Sequence, residues 1–78
     1  MITVKLYGLL RLDSGIKALT LEAQTIHQVH DALRAQSSRL TQKDLDGCLI
    51  LINGKPGTKR SKLKDGDQVV LMSPVAGG

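Results

Sequence analysis

Apolar and polar residues alternate at the start of the chain. Over residues 2–7, Ile2, Val4 and Leu6 fall on one side and Thr3, Lys5 and Tyr7 on the other, the period-two pattern of a half-buried strand. Gly8 ends it, and residues 9–15 read as a loop with a turn at Asp13, Ser14 and Gly15. Residues 16–23 alternate again, with Leu19, Leu21 and Ala23 opposite Thr20 and Glu22. Strands this close in sequence predict an antiparallel pair. The period then changes: Ile26, Val29 and Leu33 recur at helical spacing, with His27, His30, Asp31 and Arg34 mostly on the polar side. Thr25 and Gln28 fit a capping box at its start, and the helix is expected to end near residues 36–38.

A second short helical turn over residues 41–46 carries the same kind of start signal, Thr41 with Asp44, and Leu40 and Leu45 are placed to tuck beneath it. Residues 48–52 (Cys48, Leu49, Ile50, Leu51, Ile52) are continuously apolar, which predicts a strand buried on both faces. Asn53-Gly54 is a strong hairpin signal because both residues tolerate positive φ. The polar stretch that follows holds Pro56, so a fourth strand there is short and at an edge. Residues 68–72 form the last strand, closed by Pro74. One mixed sheet of four to five strands on one main helix, an α+β fold with a single core, is the compact solution.

Composition narrows the function. A chain of 78 residues makes one small domain with little room for a deep substrate pocket, which argues against a self-contained enzyme. Thirteen Leu, five Val and five Ile exclude disorder, and no apolar run approaches the ~20 residues of a membrane span. One cysteine makes neither an internal disulfide nor a Cys-rich zinc site, and the opening residues lack a signal-peptide layout, so a reducing cytoplasm is the expected compartment. The net charge of +4 permits an acidic partner, but Tyr7 as sole aromatic offers no platform for stacking several bases.

Several features carry both a functional and a structural reading. Residues 55–64 hold Lys55, Lys59, Arg60, Lys62 and Lys64: a docking patch for an acidic protein or nucleic-acid phosphates, or a solvated edge whose charge discourages strand pairing. His27 and His30 are spaced to share a helix face as metal ligands, but no third ligand is evident, so no metal site is expected. Cys48 opens an apolar strand and reads as a small hydrophobe rather than a sulfur relay, and Tyr7 as a packing residue. Leu9, Leu10 and Leu12 fit neither period and are the best candidates for exposed docking residues.

The chain ends Ser73-Pro74-Val75-Ala76-Gly77-Gly78. Residues 1–73 are expected to form the domain and 74–78 a flexible tail. A terminal Gly-Gly is either a frayed end or a reactive one. The Gly78 carboxylate, ionised at neutral pH, has the chemistry to attack the α-phosphate of ATP, and two residues without Cβ suit a narrow channel in another protein.

Asn53-Gly54, the stretch from Leu63 through Asp65, Gly66 and Asp67 to Val69, and the ending from Pro74 to Gly78 resemble the ThiS/MoaD sulfur-carrier family along the whole chain. The resemblance implies the ubiquitin-like β-grasp fold. It implies that Gly78 is adenylated by a ubiquitin-activating-enzyme-like adenylyltransferase using MgATP and then converted to a thiocarboxylate with sulfur from a persulfide donor. It further implies that the carrier binds no cofactor, that Pro74, Val75, Ala76 and Gly77 contact partners, and that the sulfur acceptor is the large subunit of molybdopterin synthase or a thiazole synthase. The long first loop and the Pro-Val-Ala-Gly-Gly ending put the molybdopterin branch first. A thiamine or other sulfur carrier, a protein modifier that joins its C-terminus to lysines, and more distantly a small basic nucleic-acid-binding domain remain open.

Overall fold

The computed structural model describes residues 1–73. The elements are β1 (Ile2–Tyr7), α1 (Leu9–Ser14), β2 (Ala18–Leu21), α2 (Ile26–Gln36), α3 (Gln42–Asp46), β3 (Leu49–Ile52), β4 (Lys55–Pro56) and β5 (Gln68–Met72). The five strands make one mixed sheet in the order β2-β1-β5-β3-β4, the ubiquitin-like β-grasp arrangement expected from the sequence. β1 pairs antiparallel with β2 and parallel with β5, and β5 pairs antiparallel with β3. The first and last strands therefore lie side by side in the middle of the sheet.

The core forms where the inward stripe of the sheet meets α2. Ile2, Val4 and Leu6 of β1 and Val69 and Leu71 of β5 are buried against Ile26, Val29 and Leu33 of α2, with Leu10, Leu40 and Leu45 closing the sides. The expectation that Leu40 and Leu45 tuck under the second turn holds, and Thr41 and Asp44 there make a full capping box. Thr25 caps α2 as expected by accepting from the Gln28 N–H, but the Gln28 side chain accepts from the Gln24 N–H at 2.6 Å instead of closing the box on Thr25. Asn53 at φ 52 and Gly54 at φ 82 turn β3 into the two-residue edge strand β4.

Four further expectations need correction. Residues 9–15 are not a loop: α1 occupies most of them, and Gly15 at φ 74 ends that helix by donating its N–H to the Arg11 carbonyl. A six-residue helix with one buried residue, Leu10, has too little periodicity to read. The second strand is shorter than residues 16–23, although Ile16 and Ala23 still pack against the core. β3 is not buried on both faces: it lies next to the short edge strand, and Leu49 is 58% exposed. His30 is not on the polar side of α2. Four residues after Ile26, it falls inside the apolar stripe and is fully buried.

Candidate functional site

The register brings three side chains together on the outer face of the sheet, away from α2. Tyr7 of β1 is the register partner of Met72 of β5, and Met72 is the partner of Leu49 of β3. Register partners project to the same face, so Tyr7, Met72 and Leu49 form one row across three strands. Val70 and Leu51, also register partners, continue it on the same face. Tyr7 and Leu49 are exposed and Met72 half-buried.

This row lies where β5 ends. Ser73 follows Met72 directly, and its hydroxyl accepts the Leu9 N–H at 2.7 Å, so the end of β5 is joined to the start of α1. Leu9 and Leu12 of α1 are exposed at that same end, 51% and 74%, whereas Leu10 turns into the core. Of the three leucines singled out in the sequence, two are therefore surface residues and one is structural. The exposed Leu9 and Leu12 of α1 and the Tyr7, Met72 and Leu49 row thus lie at the end of the sheet where the chain passes through Ser73, an apolar collar.

Pro74, Val75, Ala76, Gly77 and Gly78 lie outside the described residues. The collar marks the point from which they continue. It escaped sequence reading because the outer residues of β3 look like core when the strand is taken as doubly buried. Ser73 and Gly8 carry no sequence signal beyond a glycine closing a strand.

The basic stretch is elsewhere. The carbonyl oxygens of Lys59 and Ser61 accept from the His27 and Ile26 N–H groups, so this segment caps the start of α2 through its backbone. Lys59 is ion-paired with Asp46 at the end of α3. An open cleft of about 820 Å³ lined by Met1, Ile2, Glu22, Gln28, Leu63 and Lys64 among others lies at the β1 start, the far end of the sheet from Ser73.

The remaining candidates separate. His30 is buried with both ring nitrogens unpartnered, and its pKa is lowered, by burial first and then by the Lys59 charge. His27 is exposed and lies beside Asp31, so the two histidines do not share a face. Among the described residues no group of three His, Cys, Asp or Glu side chains is placed to hold a metal ion. Cys48 donates its thiol to the Leu45 carbonyl, and burial pushes its pKa up to about 11, which leaves it protonated and poorly nucleophilic. Tyr7 packs in the collar row.

A mixed five-stranded sheet packed on one main helix is the ubiquitin-like β-grasp fold of small carrier and modifier domains. The chain belongs to the ThiS family, whose model matches residues 4–78. No curated protein matches it. Among solved structures it is similar to the small archaeal modifier protein 1 of Methanosarcina acetivorans, with 26% identity over 99% of this chain and 95% of that one and a TM-score of 0.83. It is also similar to a chain of the BexX/CysO complex of Amycolatopsis orientalis, with 22% identity, full coverage of both chains and a TM-score of 0.76. A chain in the complex of subunits 1 and 2 of the molybdopterin-converting factor of Helicobacter pylori 26695 matches with 24% identity over 99% of this chain and 97% of that one, at a TM-score of 0.69. Among the described residues no helix is long and apolar enough to cross a membrane.

Proposed function

We propose that the protein is a sulfur carrier whose reactive group is the Gly78 carboxylate. The observation that carries this reading is the family match, which runs through the Gly-Gly end to residue 78. In the first step a carboxylate oxygen attacks the α-phosphorus of ATP and displaces pyrophosphate, leaving an acyl-adenylate. In the second, the terminal sulfur of a persulfide attacks the acyl carbon and AMP departs, leaving an acyl disulfide; a second thiol then attacks the donor's sulfur, forms a disulfide with it and releases the Gly78 thiocarboxylate. The adenylating partner binds the MgATP; the carrier contributes the terminal carboxylate and the surface on which the partner closes.

The apolar collar is that surface. It is continuous with the root of the reactive segment, and a partner that covers Tyr7, Met72 and Leu49 at once brings the end of the chain to its own active site. The acceptor favoured is a molybdopterin-synthase large subunit, because the Helicobacter pylori neighbour is a molybdopterin-converting-factor subunit in complex with its second subunit. A second reading, a protein modifier, is favoured by the Methanosarcina acetivorans neighbour. There the same acyl-adenylate is attacked by a lysine amine.

Mass spectrometry after incubation with ATP, a cognate activating enzyme, a persulfide donor and a thiol reductant tests the proposal. The expected product gains the mass of one oxygen-for-sulfur exchange at the C-terminus. An unchanged mass with an activator proven on its own carrier overturns it. Amide-linked higher-mass conjugates without a thiocarboxylate support the modifier.

A further inference from the structure

Gly8 and Ser73 form a slot and its filler. Gly8 sits at φ 68 and ψ −144, a backbone region that essentially only glycine enters. A Cβ at that position would also meet the Ser73 hydroxyl oxygen inside van der Waals contact. The backbone thus requires glycine, and a Cβ there would push the Ser73 hydroxyl out of its seat. Gly8 precedes α1 and has no side chain with which to cap it; the missing oxygen comes from Ser73, which accepts the Leu9 N–H. The cap is supplied from the other end of the sequence, by the residue at which the reactive segment begins.

A cap needed only for stability is usually met within two or three residues, as Thr25 and Thr41 do for α2 and α3. Using Ser73 instead ties the root of the reactive segment to the helix that presents Leu9 and Leu12. The consequence is geometric. The start of that segment is held at one place beside the Leu9 and Leu12 surface, and the five residues beyond it reach at most about 17 Å, which bounds where Gly78 can be delivered. Displacements far smaller than that are costly to a reaction that depends on placement.

We propose that Ser73 is a positioning residue for the chemistry at Gly78: its hydroxyl, seated in the slot left open by Gly8 and held by the Leu9 N–H, fixes the point from which the reactive segment continues relative to the Leu9 and Leu12 surface. This rests on the carrier reading. A partner that grips the collar then meets the start of the segment at a fixed place, and the cost of holding Ser73 against α1 is met by the fold before the encounter.

ATP–pyrophosphate exchange with the cognate activating enzyme, measured as a function of carrier concentration, tests the proposal with S73A, S73T and T25A beside the unaltered chain. S73A is expected to lower kcat/KM roughly three- to tenfold, the factor one ordinary hydrogen bond supplies. S73T keeps the hydroxyl and is expected to restore it. T25A removes a comparable cap from α2 and is expected to lower the Tm at least as much as S73A with no change in kcat/KM. If S73A exchanges like the unaltered chain, or T25A loses as much as S73A, the positioning role is overturned while the carrier reading stands. If the unaltered chain supports no exchange, the carrier reading fails and takes this role with it.

Discussion

The side-chain amide of Asn53 donates to the Asp67 carboxylate at 2.9 Å, across fourteen residues of sequence. The clasp is reciprocal: the Asn53 side-chain oxygen accepts the Gln68 N–H at 3.0 Å, and the other Asp67 oxygen accepts the Lys64 N–H at 2.9 Å. Two motifs far apart in the sequence, the Asn53-Gly54 hairpin and the turn before the last strand, thus hold one another at the base of the sheet. N53A breaks the clasp and forces alanine into a left-handed φ, so a loss of about 2 kcal/mol in urea unfolding is expected. N53G keeps the φ and is expected to lose less, the difference between the two variants reporting the backbone share.

Stability is expected to fall with pH in two separate windows. The Lys64 N–H, followed by the Asn53 amide, holds the Asp67 carboxyl below the usual carboxylate range. The folded carboxyl therefore binds its proton more weakly than the unfolded one, and its contribution, present near neutrality, is lost as pH falls below about 4. His30 titrates below its ordinary value of about 6.5. Burial and the positive charges of Lys59, His27 and Arg34 disfavour the imidazolium, while Asp46 favours it more weakly than burial opposes it. The unfolded chain takes up this proton first as pH drops below about 6.5, so stability declines from there to the lower folded value. Thermal unfolding across pH is expected to show both declines, and H30L to remove the upper one alone.

H30L is also expected to raise stability near neutral pH, by about 1 kcal/mol or more, because both imidazole nitrogens are buried without a partner and leucine has none to leave unsatisfied. Calorimetry at pH 7.5 checks this; a destabilised H30L would mean that the shape of the imidazole outweighs its unmet hydrogen bonds.

The Cys48 thiol, with its pKa near 11 against an ordinary 9.0, is expected to react with iodoacetamide at pH 8 roughly a hundredfold more slowly than in the unfolded chain. Labelling with and without urea measures the ratio. Rates that match would remove the basis for treating Cys48 as a packing residue.

Charging the collar is expected to separate binding from folding. L49K places its ammonium at a position that is already 58% exposed, so the Tm is expected to stay within a few degrees. In the pyrophosphate-exchange assay the same variant is expected to lose tenfold or more in kcat/KM, the scale of a central interface residue. K64A, at the far end of the sheet, is expected to change neither.

Removing Gly77 and Gly78 is expected to abolish activation and leave the Tm unchanged within about one degree, because the buried core is made from residues between Ile2 and Leu71. A truncated chain that still supports exchange would move the reactive group away from Gly78.

Some of the fold can be read locally. The alternation of residues 2–7, the apolar stripe of α2, the caps at Thr25 and Thr41 and the turn at Asn53-Gly54 are each decided within one element, and each is found where the spacing puts it. His30 was legible too, at the fourth position after Ile26, but an ionisable side chain in an apolar stripe reads as polar until its surroundings are known. Leu49 is the reverse case: an apolar residue in an apolar run that faces outward because it shares with Met72 the face of the sheet turned away from α2.

What the sequence determined by itself is the kind of domain, the family and the residue at which the chemistry is proposed, since periodicity, turn residues and the terminal motif are all local in the chain. What only the tertiary structure decided is how the end of the domain is built: the Tyr7, Met72 and Leu49 row, and the Ser73 hydroxyl in the slot beside Gly8. Those contacts join residues up to sixty-five positions apart. Strand period reports which side chains share a face but not which strand lies alongside, and a hydrogen bond between the two ends of a domain leaves no periodic trace in either.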